Sequence, residues 1–228
     1  MVHSIGKYII TSFLTDNLWK EWCYLVTSNT SGEQALIDPG NNFDKIAKAI
    51  ESNGNNKLKY ILLTHGHHDH VGEVENFAKK FGIKALIHKN DSALVRHSPL
   101  YAIRFDKRII KTPHEVEIFL KEPYELGKRE FIKVIHTPGH TSGSVCFLFE
   151  GFVFTGDTLL KELVGRTDLP GSKPEELPVS VNKLIAEIHE DVIIFPGHGK
   201  PWKAAEAKNW WKHKNVNPPQ HNTFNEIN

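Results

Sequence analysis

The stretch YILLTHGHHDHVGEVENF, residues 60–77, decides how the rest of the chain is read. It starts as an apolar, strand-forming run and passes at once into His65-Gly66-His67-His68-Asp69-His70. Four histidines and an aspartate therefore fill five of six positions at the end of a buried strand. A polar turn with Asp69 capping the next helix would account for one or two of them, not for five. A loop this short can aim alternate side chains at one point, and Gly66 lets the backbone turn tightly. Neutral imidazoles and carboxylates are ligands for borderline divalent metals such as zinc. The segment reads as a metal-binding loop.

Working outward, Val71, Val74, Ala78 and Phe81 recur at helical spacing, and Gly82 closes that helix. Strand-type runs occupy 7–13, 22–28, 34–38, 59–64 and 84–88, then 115–120, 131–136, 144–149, 152–155 and 192–195. Glu150-Gly151 reads as a tight hairpin turn. Helices are expected over 43–52, briefly after Asn90, over 174–189 with Pro174 near the first turn, and through KAAEAKNWWKHK (203–214), before a loose tail. Residues 97–115 carry Pro99 and Pro113 and are expected to form an irregular excursion or lid. Strands and helices fall into two similar blocks, about 1–125 and 126–228, with no linker between them. This predicts one domain spanning 1–228 and built as a layered α/β sandwich.

Three later segments repeat the design of the first. Thr137-Pro138-Gly139-His140-Thr141, Thr155-Gly156-Asp157-Thr158 and Pro196-Gly197-His198-Gly199 each place a ligand-type residue just after a strand, beside a glycine. A lone histidine in such a loop more often satisfies nearby backbone. Three matching contexts plus the first cluster argue for convergence, because strand ends meet at one edge of a sheet.

Composition narrows the classes. The 228 residues carry 28 basic and 27 acidic side chains, a net charge of +1, with no polybasic block. A nucleic-acid partner is not expected. No run approaches the ~18 apolar residues of a membrane span, and no membrane partner or signal peptide is expected. Cys23 and Cys146 form no CxxC pair, which suits a reducing cytoplasm. Both fall inside expected strands and read as core residues.

The pattern HxHxDH, followed by His140, Asp157 and His198, resembles the metallo-β-lactamase-fold hydrolase superfamily over essentially the whole chain. The resemblance implies a four-layer αβ/βα sandwich with a site along one edge. It implies two divalent ions, zinc first with iron or manganese also compatible. One would be held by His65, His67 and His140, the other by Asp69, His70 and His198, with Asp157 bridging. Asp69 is also taken as a catalytic residue. The implied chemistry is hydrolysis by a hydroxide bridging two metals, with no serine or cysteine nucleophile.

Gly156-Asp157-Thr158-Leu159-Leu160 followed by Gly165-Arg166-Thr167-Asp168-Leu169-Pro170-Gly171 is similar to the small glyoxalase-II-like group, most of whose members hydrolyse thioesters. Arg166 and Asp168 are expected to pair and brace the Asp157 loop, the alternative being a substrate contact. Only about 30 residues follow Gly199, too few for the glutathione-holding helical domain of glyoxalase II. The resemblance therefore shifts toward hydrolases of polyketide pathways. The expected substrate is an acyl thioester on acyl carrier protein, coenzyme A or a similar carrier. The alternatives are glyoxalase II acting on S-lactoylglutathione and a mononuclear-iron persulfide dioxygenase. Trp19, Trp22, Trp202, Trp210 and Trp211 either pack the chain ends or wall an acyl site. His68 and His136, next to the ligand loops, are expected to support them.

Overall fold

A computed structural model describes residues 1–15, 18–52, 57–119 and 123–216. The first sheet is built in chain order from β1 (Val2–Ile5), β2 (Tyr8–Leu14), β3 (Trp22–Ser28), β4 (Glu33–Ile37), β5 (Lys57–Leu62), β6 (Ala85–Ile87) and β7 (Val116–Ile118). The helices α1 (Phe43–Glu51), α2 (His68–Val71), α3 (Val74–Phe81) and α4 (Ser92–Asp106) fall between its later strands. The second half adds β8 (Tyr124–Glu125), β9 (Phe131–His136), β10 (Val145–Phe149), β11 (Phe152–Gly156), the hairpin of β12 (Leu159–Leu160) and β13 (Leu163–Val164), α5 (Leu177–Glu187), β14 (Ile193–Pro196), β15 (Trp202–Lys203) and α6 (Ala204–Val216). The second sheet has the order β15-β14-β11-β10-β9-β8.

Period-two patterning explains the layers. On β3, Tyr24 and Val26 join the core between the sheets, while Cys23 and Leu25 join the core under α1 and α3. On β10 and β11, Phe147, Phe149, Phe152 and Phe154 face the shared core, while Cys146 and Val153 face α5 and α6. Three buried clusters thus separate four layers, as the α/β sandwich requires. Phe147, Phe152, Phe154 and Phe195 are wholly buried in the middle cluster. Each contributes about 1.5–3 kcal/mol of hydrophobic stabilisation. Cys23 and Cys146 are free, buried thiols in separate clusters. Among the described residues no helix is long and apolar enough to cross a membrane.

Several expected elements differ. Residues 97–115 are not irregular throughout: α4 continues through Pro99 to Asp106. Proline removes one N–H, but Val95, Ser98 and Ala102 are buried along one face, and that burial outweighs the lost hydrogen bond. The helix expected from Val71 is broken into α2 and α3 at Gly72-Glu73, where a Cβ on Gly72 would lie 2.4 Å from the Gly40 carbonyl oxygen. α5 begins at Leu177, with Pro178 rather than Pro174 in its first turn. β1, β12, β13 and β15 have two to four residues each and no pattern of their own; pairing partners create them. Leu120, at the end of the expected 115–120 strand, and the tail 217–228 lie outside the described residues.

Candidate metal centre

Strand direction builds the centre. β4 and β5 run parallel, so Asp38 and the 63–67 loop leave the first sheet at the same edge. In the second sheet β9 and β11 each pair antiparallel with β10, and β14 runs parallel to β11. The loops bearing His140, Asp157 and His198 therefore emerge together. A hydrogen bond of 2.8 Å from Val145 N to the Thr64 carbonyl joins the two sheets there.

The seven residues read from the sequence converge at this edge. His65, His67 and His140 offer ligand atoms within 4.8 Å of one another, and so do Asp69, His70 and His198. Asp157 lies between the groups. Its Oδ2 is 3.5 Å from His140 Nε2 and 3.4 Å from His198 Nε2, and its Oδ1 is 3.6 Å from His70 Nε2.

Hydrogen bonding sets the tautomers. His140 Nδ1 donates to the Arg166 carbonyl at 2.7 Å. His198 Nδ1 donates to the Trp19 carbonyl at 2.9 Å. His70 Nδ1 faces Asp38 Oδ2 at 3.0 Å. Thr64 Oγ1 donates to Asp38 Oδ2 at 2.6 Å and so accepts from His65 Nδ1 at 3.1 Å. Each ring then turns its Nε2 inward, as a free lone pair on His65 and His140 and, on His70 and His198, as one freed when the second proton leaves. His140 Nε2 sits 2.9 Å from His67 Nδ1, and His70 Nε2 sits 3.3 Å from His198 Nε2. His65 Nε2 and Asp157 Oδ1 are buried with no hydrogen-bond partner. Converging groups of this kind fit a bound cation, and among the described residues no hydrogen bond answers His65 Nε2 or Asp157 Oδ1.

The electrostatics agree. Burial, reinforced by the neighbouring histidines, pushes His65 and His67 well below the ordinary histidine range, so both stay neutral. Burial opposes charge on His70, but Asp69, Asp157 and Asp38 outweigh it and hold that ring up at about 9. His198 is likewise raised by Asp157 and Asp69 against its burial. Asp69 and Asp157 stay ionised despite burial, because His70 and His198 face both. Carboxylates that favour a proton on these rings favour a metal cation there equally.

Some supports were absent from the sequence reading. Asp38 in Ile37-Asp38-Pro39-Gly40 has the same strand-end, glycine-flanked context as the ligand loops, which could have marked it. Asp91 accepts from Gly66 N at 2.9 Å, from Thr141 Oγ1 at 2.7 Å and from Gly143 N at 2.7 Å, tying the first ligand loop to the His140 loop. Gly40 leaves room where a Cβ would sit 1.4 Å from the Asp69 carbonyl oxygen and 2.6 Å from Glu21 Oε1. Glu21 is fully buried behind it, and burial pushes its carboxyl up to about 8.

Arg166 and Asp168 do pair, Nε to Oδ1 at 2.6 Å. The pair lies at the partly exposed rim of the centre, with Asp168 66% exposed. The direct brace on His140 is the Arg166 main-chain carbonyl. His68 turns away from the centre to Asp106 at 3.1 Å, and His136 stacks on His88 at 4.1 Å. Above the centre opens a cavity of about 990 Å³ with His67, Asp69, His140, Asp157 and His198 on its floor. Trp19 and Trp22 line it, whereas Trp202 and Trp211 are packed into the α5–α6 core.

An αβ/βα sandwich with paired His/Asp groups along one edge defines a metallo-hydrolase. A model of the metallo-beta-lactamase superfamily matches residues 17–198, and the chain belongs to that superfamily. It is 34% identical over 175 residues to the hydroxyacylglutathione hydrolase GloC of Haemophilus influenzae, covering 72% of this chain and 79% of that protein. It is 29% identical over 180 residues to the probable polyketide biosynthesis zinc-dependent hydrolase PksB of Bacillus subtilis, covering 79% and 73%. The crystal structure of TTHA1623 in a di-iron-bound form superposes with a TM-score of 0.76 at 30% identity, covering 87% of this chain and 96% of that one.

Proposed function

We propose that this metallo-hydrolase cleaves acyl thioesters. The observation that carries the reading is a seven-residue His/Asp constellation, five of whose members floor a large, mainly apolar cavity. His65, His67 and His140 would hold one divalent ion, and Asp69, His70 and His198 a second, with Asp157 shared. Zinc suits the nitrogen-rich first set, and the carboxylates of the second also accept iron or manganese. Ions bound there would lower the pKa of water to about 7 and polarise a substrate carbonyl.

The chain's own residues do the positioning. Asp38, Thr64 and the carbonyls of Trp19 and Arg166 fix the ring orientations, so little reorganisation is needed. Asp69, ionised and on the cavity floor, is the candidate catalytic carboxylate, placed to accept a hydrogen bond from the attacking water and orient it. Neither thiol is a nucleophile: burial raises both, Cys146 to about 12. The relative named for hydroxyacylglutathione hydrolysis supports a thioester substrate, there on glutathione, and the one named for polyketide biosynthesis supports zinc-dependent hydrolysis. Acyl carrier protein or coenzyme A is the carrier proposed here, because the cavity is larger and more apolar than a lactoyl group needs.

The test joins elemental analysis of the purified protein to thiol release from acyl-carrier, coenzyme A and glutathione thioesters. Two metals per chain with release from acyl-carrier or coenzyme A thioesters is the expected result. Release from S-lactoylglutathione alone would replace the proposed substrate. One iron per chain, with oxygen consumed on glutathione persulfide and no thiol release, would overturn hydrolysis.

A further inference from the structure

The cavity above the metal centre has a roof that the hydrolytic chemistry does not require. Trp19 and Trp22 form one wall, and Leu94, Tyr101 and Phe105 of α4 form another. The α4 roof is fastened to the first wall. Asp106 accepts from Trp19 Nε1 and lies 3.1 Å from His68 Nε2, while Arg108 donates to the His68 carbonyl at 3.4 Å. Trp19 packs edge-on against His68, and Phe105 stacks against the same ring. The apolar side chains are thus held in place around the void rather than collapsed into it. A lactoyl or acetyl group would leave most of about 990 Å³ to water held against apolar walls.

We propose that the cavity under α4 is an acyl-chain pocket, and that the protein selects thioesters with medium-length or longer apolar acyl groups. The inference rests on the thioester reading above and specifies its substrate class. The scissile carbonyl sits on the Asp69–Asp157 floor, and the chain runs between Trp19 and the Tyr101–Phe105 face of α4. Tyr101 and Phe105 sort substrates by length. Both lie on the outer part of α4, Tyr101 half-buried and Phe105 38% exposed, so each can be shortened without opening the core.

The experiment uses the full-length, metal-loaded protein with acetyl-, butyryl-, hexanoyl- and octanoyl-coenzyme A. kcat/KM is expected to climb about fourfold per added methylene. Tyr101→Ala and Phe105→Ala should each lower kcat/KM for the octanoyl ester by tenfold or more, and for the acetyl ester less than twofold. In parallel, quenching of tryptophan fluorescence by the same esters in chelator-treated protein reports binding without turnover. There Kd should tighten with chain length, and the two variants should flatten the trend. Turnover and binding that ignore chain length would overturn the pocket and leave the thioester reading standing. Binding that tightens with length while neither these esters nor the octanoyl ester of acyl carrier protein is cleaved would overturn the thioester reading and leave the pocket. Variants that weaken the acetyl and octanoyl esters alike would remove Tyr101 and Phe105 from the selection.

Discussion

His70 Nδ1 lies 3.0 Å from Asp38 Oδ2, so a carboxylate at the end of one strand orients a ring in α2, the short helix that follows its parallel neighbour β5. The same Asp38 accepts from Thr64 N at 2.7 Å and from Thr64 Oγ1 at 2.6 Å. Through Thr64 it also reaches His65. One buried side chain therefore orients a ring from each of the two candidate ligand sets.

Asp38→Asn keeps the shape and suits the left-handed backbone at φ 48°, but weakens acceptance at His70 and Thr64. Metal affinity is expected to fall about 10- to 100-fold. Competition against a chromophoric chelator measures it. Affinity equal to the wild type would mean that the ring needs no such support.

Asp157→Ala removes the group within 3.4–3.6 Å of His198, His140 and His70. Both ions and thiol release should be lost together, since the two sets share this residue. Elemental analysis beside an activity assay decides the point. A variant retaining the full metal complement would show that Asp157 bridges nothing.

Gly197→Ala tests how little space the centre has. The added Cβ would fall 2.3 Å from Asp157 Oδ1 and 2.7 Å from His70 Cε1. Overpacking of this kind costs about 1–3 kcal/mol. The variant should keep its far-ultraviolet circular dichroism, melt earlier and bind less metal. Unchanged metal content and melting would mean that the neighbouring loops yield easily.

The pH response should change sign with metal. The His70 ring is raised from 6.5 to about 9, so without metal its stabilising charge is complete below pH 6.5 and lost as pH rises through about 9. Chelated protein should lose denaturation stability over that window. Metal needs the neutral ring, so zinc affinity should rise over the same window, with proton release on binding. Calorimetry in buffers of different ionisation enthalpy counts those protons. Zinc binding with no proton release at pH 7 would contradict a charged His70.

Much of this was visible along the chain because local chemistry is unambiguous there. His65, His67, Asp69 and His70 sit so close in sequence that one turn must bring them together. His140, Asp157 and His198 each follow an apolar strand and a glycine or precede one. Asp38 fits that context yet was read only as a strand end, since its partner Thr64 is 26 residues away. Pro99 argued for a break where α4 continues, because one missing hydrogen bond is a weaker signal than a buried face visible only after folding.

The sequence alone marked the candidate ligand types, the loops that carry them and the alternation that makes sheets two-faced, because these depend on neighbours a few bonds apart. Tertiary structure alone decided that Trp19 walls the cavity while Trp211 fills a core, that the Arg166 carbonyl rather than its guanidinium holds His140, and that Asp106 ties α4 over the centre. Those contacts join residues 26 to 87 positions apart, or, for Trp211, different helices. Their partners are chosen by how layers stack, which no short window of sequence encodes.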